Sequence, residues 1–300
     1  MPKIKNAPSV DADGCVVHTL KGHSGCIVEL CKRSELHFVR KKSYSAAYNL
    51  RLERQIEKQK RLAGIIPLPA IFNVSMENKL IQFEMEYIKG KDFRLQFLDE
   101  RVLWYVEFMD KLMFFFNLCA NTATGFVPVE YIDTKIGSLR DRLRDVPQYL
   151  EHRALIDRAL KAASDLRSSP MPDTVCHGDM TLENIIFRED GSFVFLDVLD
   201  GDISSFWLDI SKMFFDLDIG WSLRHDLWRD EITHETRLVA MLTKYLQEEL
   251  RKKVSAVYPE LVAALPSLVI FQGLRVLPYA KDSVTSQKII ASLGKTVKDI

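Results

Sequence analysis

Between Cys15 and Lys42, short runs rich in Val, Ile, Leu and Phe alternate with polar positions and are separated by glycines and charged turns. Such period-two runs predict strands of an antiparallel sheet. From Ala46 to Ala63 the spacing changes: good helix formers dominate, with Leu52, Ile56 and Leu62 as a partial apolar stripe, which predicts a helix with one buried face. Pro67 and Pro69 end it, and Pro69 to Val74 and Lys79 to Tyr87 predict two more strands with a turn over Ser75 to Asn78. After Gly90 helical patterns prevail to about Ser168, interrupted around Pro128 and at Pro147, and they resume from Phe206. Between these blocks, apolar runs at Asn184 to Phe187 and Phe193 to Asp197 flank Asp190-Gly191, a strong hairpin signal.

A β-rich first part and an α-rich second part predict an α+β chain of two lobes with a cleft between them. The linker candidate Lys89-Gly90-Lys91 sets the boundary, giving residues 1–88 as a β-rich first lobe and 89–300 as a helical second lobe. Composition is that of a globular protein, with 47% hydrophobic and 27% charged residues. Lys plus Arg and Asp plus Glu both total 41, so no overall field draws the chain to nucleic acid or an anionic membrane, and neither is expected as a partner. The five cysteines contain no C-x-x-C pair, and Met1 to Val10 has no apolar stretch resembling a signal peptide. Reduced thiols and a cytoplasmic location follow as expectations. The greasiest run, Tyr105 to Ala120, is broken by Glu107, Asp110 and Lys111 and reads as a core helix.

The stretch Val175-Cys176-His177-Gly178-Asp179-Met180-Thr181-Leu182-Glu183-Asn184, followed by Phe195-Leu196-Asp197, carries the chemistry. Phosphoryl transfer to an alcohol needs a carboxylate to orient the hydroxyl and take its proton, and oxygen ligands for magnesium. Asp179, Asn184 and Asp197 supply them. An isolated H-G-D would be ordinary turn chemistry, but four residue types at matched offsets with a hairpin between them make a multi-part motif. Asp200 and Asp202 read as loop carboxylates.

In order and spacing, His177, Asp179, Asn184 and Asp197 match the kinase catalytic loop H-x-D-x-x-x-x-N and its later metal-binding Asp. Gly178, where most protein kinases carry Arg, gives the form typical of aminoglycoside phosphotransferases and choline kinases, and no A-P-E segment follows Asp197. The chain therefore resembles that family, from Cys15 to Ser211. The resemblance implies a bilobal protein-kinase-like fold, His177 and Asp179 in the catalytic loop, and Mg2+ held by Asn184 and Asp197. It further implies ATP or GTP as donor and a small hydroxylated acceptor. Asp209-Ile210-Ser211, twelve residues after Asp197, matches the family's D-[LI]-[AS] segment, and Asp209 would brace the catalytic loop. A catalytically silent nucleotide-binding protein on the same fold is the competing class; the presence of every chemical residue favours the enzyme.

A kinase-like first lobe must also hold the nucleotide. Gly22-His23-Ser24-Gly25 sits between two predicted strands, where the bare backbone at Gly22, Ser24 and Gly25 can approach phosphates; the same turn suits an ordinary hairpin. In His37-Phe38-Val39-Arg40-Lys41-Lys42, alternation puts Arg40 and Lys41 on opposite faces, so one of the two anchors phosphate, with Lys41 preferred. Its acid partner on the following helix is Glu57, with Glu53 and Gln55 as alternatives. Phe83 to Gly90 resembles the kinase hinge, where the Glu86 carbonyl and Ile88 amide would read the base. Trp207, Asp216, Asp218, Trp221 and Trp228 offer aromatic and acidic surface after Phe206, although aromatics at helical spacing are more often core.

Overall fold

The computed structural model describes residues 9–10, 15–20, 26–99, 102–229, 231–280 and 282–298. Chain contacts divide it into two compact units, residues 1–96 with 183–200 and residues 97–182 with 201–300.

In the first unit, β1 (Ser9–Val10), β2 (Val16–Leu20), β3 (Cys26–Arg33), β4 (Leu36–Ser43), β5 (Ile71–Glu77) and β6 (Leu80–Glu86) form one antiparallel sheet in the order β1-β2-β3-β4-β6-β5, and α1 (Ala46–Leu62) joins β4 to β5. Strand alternation sends neighbouring residues to opposite faces. Val39, Ile81, Phe83 and Met85 pack with Leu52 and Ile56 of α1, while Phe38 packs with Cys15, Val17 and Cys31. The predicted turn over Ser75 to Asn78 is replaced by a tighter one at Asn78 and Lys79, both at positive φ, so β5 continues to Glu77. Two successive positive φ values match the right-handed twist of a hairpin.

The chain then passes through β7 (Lys91–Asp92) and α2 (Phe93–Asp99) into the helical unit. Here α3 (Val102–Ala120), β8 (Gly125–Phe126), α4 (Val129–Arg144), α5 (Pro147–Glu151), α6 (Arg153–Ser164) and β9 (Pro172–Asp173) precede the catalytic stretch. Pro128 is the extended residue just before α4, and Pro147 opens α5, where its rigid φ suits the first turn. The hairpin β10 (Ile185–Phe187) and β11 (Phe193–Phe195) returns to the first unit because β10 pairs with β7. The first unit is thus discontinuous, which a single boundary after residue 88 does not describe.

The rest of the helical unit is α7 (Phe206–Ile219), α8 (Arg224–Leu227), α9 (His234–Val257), α10 (Pro259–Val276) and α11 (Ser283–Lys298). Ser205 caps α7 by accepting from the Trp207 N–H, and Gly220 ends it in the left-handed conformation. α7 is buried on nearly every side, so its polar groups need partners within the fold. Among the described residues, the helix long and apolar enough to cross a membrane is Pro259–Tyr279, not the Tyr105 to Ala120 run, and most of it is buried within its own unit against α6, α7, α9 and α11.

Candidate active site

No helix or strand spans Thr174 to Thr181, and side chains accept from the N–H groups of Val175, His177, Gly178 and Asp179. Thr174 Oγ1 accepts from the Phe206 N–H, and the Val175 N–H donates to Thr122 Oγ1. Asp209, fully buried on α7, accepts from the His177 N–H at 2.6 Å and the Gly178 N–H at 2.7 Å. Two turns along the same helix, Asp216 accepts from the Leu182 N–H at 2.7 Å and from the backbone and hydroxyl of Ser222. Gly178 sits at φ +90°, where a side chain would be strained. The His177 ring is buried, and its Nδ1 accepts from the Asp179 N–H at 3.3 Å. Through this bond His177 helps to shape the loop.

Asp179 follows this clamped segment with its carboxylate partly open. Lys212 Nζ lies 3.1 Å from Asp179 Oδ1, and the lysine side chain is only 13% exposed. Burial alone would raise the Asp179 carboxyl, but Lys212 and then Arg275 outweigh it and hold the group below the ordinary carboxylate range.

In the first unit, Lys41 of β4 pairs with Asp197, two residues beyond β11. Burial alone would weaken the Lys41 ammonium; the Asp197 carboxylate more than compensates and holds it above the ordinary lysine range. Asp197 takes φ +60°, an uncommon conformation that short acidic side chains tolerate better than most. The Leu196 N–H donates to the Asn184 carbonyl and Ile185 pairs with Phe195, so residues 184 and 197 lie at the same open end of the hairpin. One carboxylate and one amide oxygen there suit magnesium, a hard cation that retains water and binds few protein ligands beside phosphates. Among the described residues no cluster of three His, Cys, Asp or Glu competes as a metal site.

Arg40 faces the other way and is buried against Glu84, its partner across β4 and β6, with Nη2 to Oε1 at 2.9 Å and Glu29 at 3.9 Å. It sits with the Phe38 side of the sheet and does not share the Lys41–Asp197 contact. Glu57 is exposed on α1, as is Glu53, and Gln55 is half-buried. The expected helix-borne partner for Lys41 is thus supplied by Asp197, because α1 turns Leu52, Ile56 and Gln59 inward instead. Glu86 ends β6 with its carboxylate on Arg188, and Ile88 is buried in the segment after it. Gly22, Ser24 and Gly25 lie outside the described residues.

Sequence reasoning missed Lys212, Arg275 and Glu84. Lys212 stands three residues after Asp209, a helical step that keeps both on one face, and this was a readable signal. Arg275 has no local signal. Of the acidic and aromatic candidates after Phe206, Asp216 is used by the loop, Asp218 by Ser292 and Lys295, and Trp207 by the core. Trp221 packs edge-on to Trp228, and the Trp228 indole donates to the Ile219 carbonyl.

An antiparallel sheet bearing a buried lysine paired to a hairpin aspartate, and a helical unit clamping an H-G-D loop, define a phosphotransferase of the kinase-like class. The chain belongs to the phosphotransferase enzyme family, whose model matches residues 32–239. Among solved structures it is similar to a thermostable mutant of aminoglycoside phosphotransferase APH(4)-Ia in ternary complex with ADP and hygromycin B, with TM-score 0.63 and 11% identity over 94% of this chain and 93% of that one. Choline kinase LicA from Streptococcus pneumoniae gives TM-score 0.60 and 12% identity over 97% and 95% of the two chains. A putative fructosamine-3-kinase from Haemophilus somnus 129PT gives 0.55 and 11% over 97% and 92%. At these identities the structures establish the fold alone. No curated protein sequence matches the chain.

Proposed function

We propose that this chain transfers the γ-phosphoryl group of ATP or GTP to a hydroxyl of a small molecule. The observation that carries the reading is the pairing of Lys41 with Asp197 across 156 residues of sequence. A buried cation beside a hairpin carboxylate suits phosphate oxygens and their counter-ion. Adenine nucleotide and hygromycin B bound to one structural neighbour, and choline and fructosamine kinases among the others, agree with it.

In this reading Asp179 accepts a hydrogen bond from the acceptor hydroxyl and directs its oxygen at the γ-phosphorus. The new O–P bond forms as the bond to the β–γ bridging oxygen breaks, the nucleoside diphosphate leaves, and the hydroxyl proton passes to Asp179 and then to water. A carboxylate held below the ordinary range is a weaker base, which suits a loose transition state that needs orientation more than early proton removal. Lys41 binds phosphate oxygens, the backbone at Glu86 and Ile88 reads the base, and Asn184 and Asp197 would hold magnesium. Bound there, the ion neutralises phosphate charge.

The test is phosphoryl transfer to a panel of hydroxylated metabolites by the wild type and Asp179→Asn. The variant is expected to lose at least about a hundredfold in kcat while still binding nucleotide; an equally active variant overturns the reading. Nucleotide binding without transfer or hydrolysis by the wild type would indicate a silent member of the fold.

A further inference from the structure

The first unit buries a second lysine, besides Lys41, that the mechanism above does not use. Lys58 of α1 is only 3% exposed, and its Nζ donates to the Leu199 carbonyl at 2.7 Å, a bond across 141 residues of sequence. An ammonium taken out of water costs free energy that its hydrogen bonds must offset, so this is not an incidental surface contact. Packing places the donor. Leu52 and Ile56 dock α1 in the core against the sheet, and Gln59 Nε2 donates to the Pro69 carbonyl at 2.8 Å. The acceptor carbonyl stands two residues after Asp197, just beyond the fully buried Val198.

The segment that includes Asp197 needs holding. Its φ of +60° is a conformation that persists in a non-glycine residue where the surroundings fix it. Before Asp197 the hairpin does so: the Phe195 N–H donates to the Pro67 carbonyl at 2.9 Å and the Leu196 N–H to the Asn184 carbonyl at 2.8 Å. After Asp197 neither strand nor helix takes over, and the Leu199 carbonyl is held by Lys58 instead. The turn that carries the carboxylate is thus anchored from both sides. Magnesium demands near-octahedral oxygen ligands and tolerates a misplaced one poorly, so the orientation of this turn matters most to the ion.

Resting on the phosphotransferase reading above, we infer that Lys58 is a positioning residue for the magnesium site: by holding the Leu199 carbonyl it sets the turn on which Asp197 presents its carboxylate, while touching neither the ion nor the nucleotide.

Calorimetry on the full chain tests it, with the non-hydrolysable analogue of whichever donor, ATP or GTP, the chain binds. The analogue is titrated with magnesium in excess and again in EDTA, and the ratio of the two Kd values reads how much the ion adds to binding. Magnesium should tighten binding to the wild type. Lys58→Met, which keeps the stem and removes the donor, should lose about tenfold of that gain, as when an outer partner of a metal ligand is removed, while the Kd in EDTA stays close to the wild-type value. Lys58→Arg, which keeps a buried donor, should recover part of the loss. If the methionine protein does not fold, Lys58→Gln takes its place and is read by the same ratio. A variant that melts earlier with its ratio unchanged overturns the inference, because Lys58 would then serve stability alone. Equal weakening with and without magnesium also overturns it, since the ammonium would then serve the nucleotide directly. Either result beside a wild type that binds nucleotide and transfers phosphate sinks only the role of Lys58. A wild type that binds no nucleotide sinks the phosphotransferase reading itself, and this inference with it.

Discussion

Lys41 and Asp197 form an ion pair between a nearly inaccessible ammonium and a carboxylate that is 45% exposed. The asymmetry separates two roles. An interaction with one end in solvent adds little to folding, so Lys41→Met should change stability by about 1 kcal/mol or less. The same substitution removes the cation proposed to meet phosphate, and the Kd for nucleotide measured by calorimetry should rise about tenfold or more. Unchanged nucleotide affinity would remove Lys41 from the binding site.

Arg40 and Glu84 make the opposite case, since both are buried. Glu84→Gln leaves a guanidinium without its main counter-charge and should cost about 3–5 kcal/mol in urea denaturation. Glu57→Gln, on the exposed face of α1, should fall within about 0.5 kcal/mol of wild type. If Glu57→Gln weakens nucleotide binding while Glu84→Gln leaves stability intact, the two acids have been assigned the wrong way round.

Lys212→Met keeps the methylene stem and removes the charge beside Asp179. The Asp179 carboxyl lies below the ordinary carboxylate range when folded, so its pairing adds stability that is complete above the unfolded pKa and is lost as pH falls through the folded value. Without Lys212 the effect of burial, which favours the neutral acid, is less opposed. The acid limb of the kcat/KM profile should therefore move to higher pH, and the acid dependence of stability should weaken. A limb that stays in place would show that Lys212 does not tune this group.

Gly90 is required by packing within the first unit. A Cβ there would stand 2.2 Å from the Phe187 carbonyl oxygen and 2.9 Å from Ile186 Cγ2, and a backbone oxygen in a paired strand has little room to yield. Gly90→Ala should lower stability by about 1–3 kcal/mol. Gly137 of α4 has nothing within 4 Å of a Cβ, and Gly137→Ala should stabilise by about 0.5–1 kcal/mol. Thermal melts of the two proteins should shift in opposite directions.

What could be read beforehand divides by range along the chain. The H-G-D loop, the hairpin and Asp209 lie within thirty-odd residues and carry their own turn and cap signals. The alternation in Phe38 to Lys41 was enough to send Lys41 and Arg40 to different faces, because strand periodicity is local. The Glu57 assignment failed for a different reason. Which residues of α1 turn toward the sheet depends on the rotation at which the helix docks, and Leu52, Ile56 and Leu62 made too sparse a stripe to fix it. Arg275 is tied through Gln272 to Leu208 and Ser211, a contact that joins α10 to α7 and leaves no trace in any short window of sequence.

Asp209 and Asp216 grip the catalytic segment by its main chain, at residues 177, 178 and 182. A bond to an amide proton does not itself depend on which side chain that residue displays. An imino acid, which lacks that proton, would cast off the segment at any of the three sites even where its shape was otherwise acceptable.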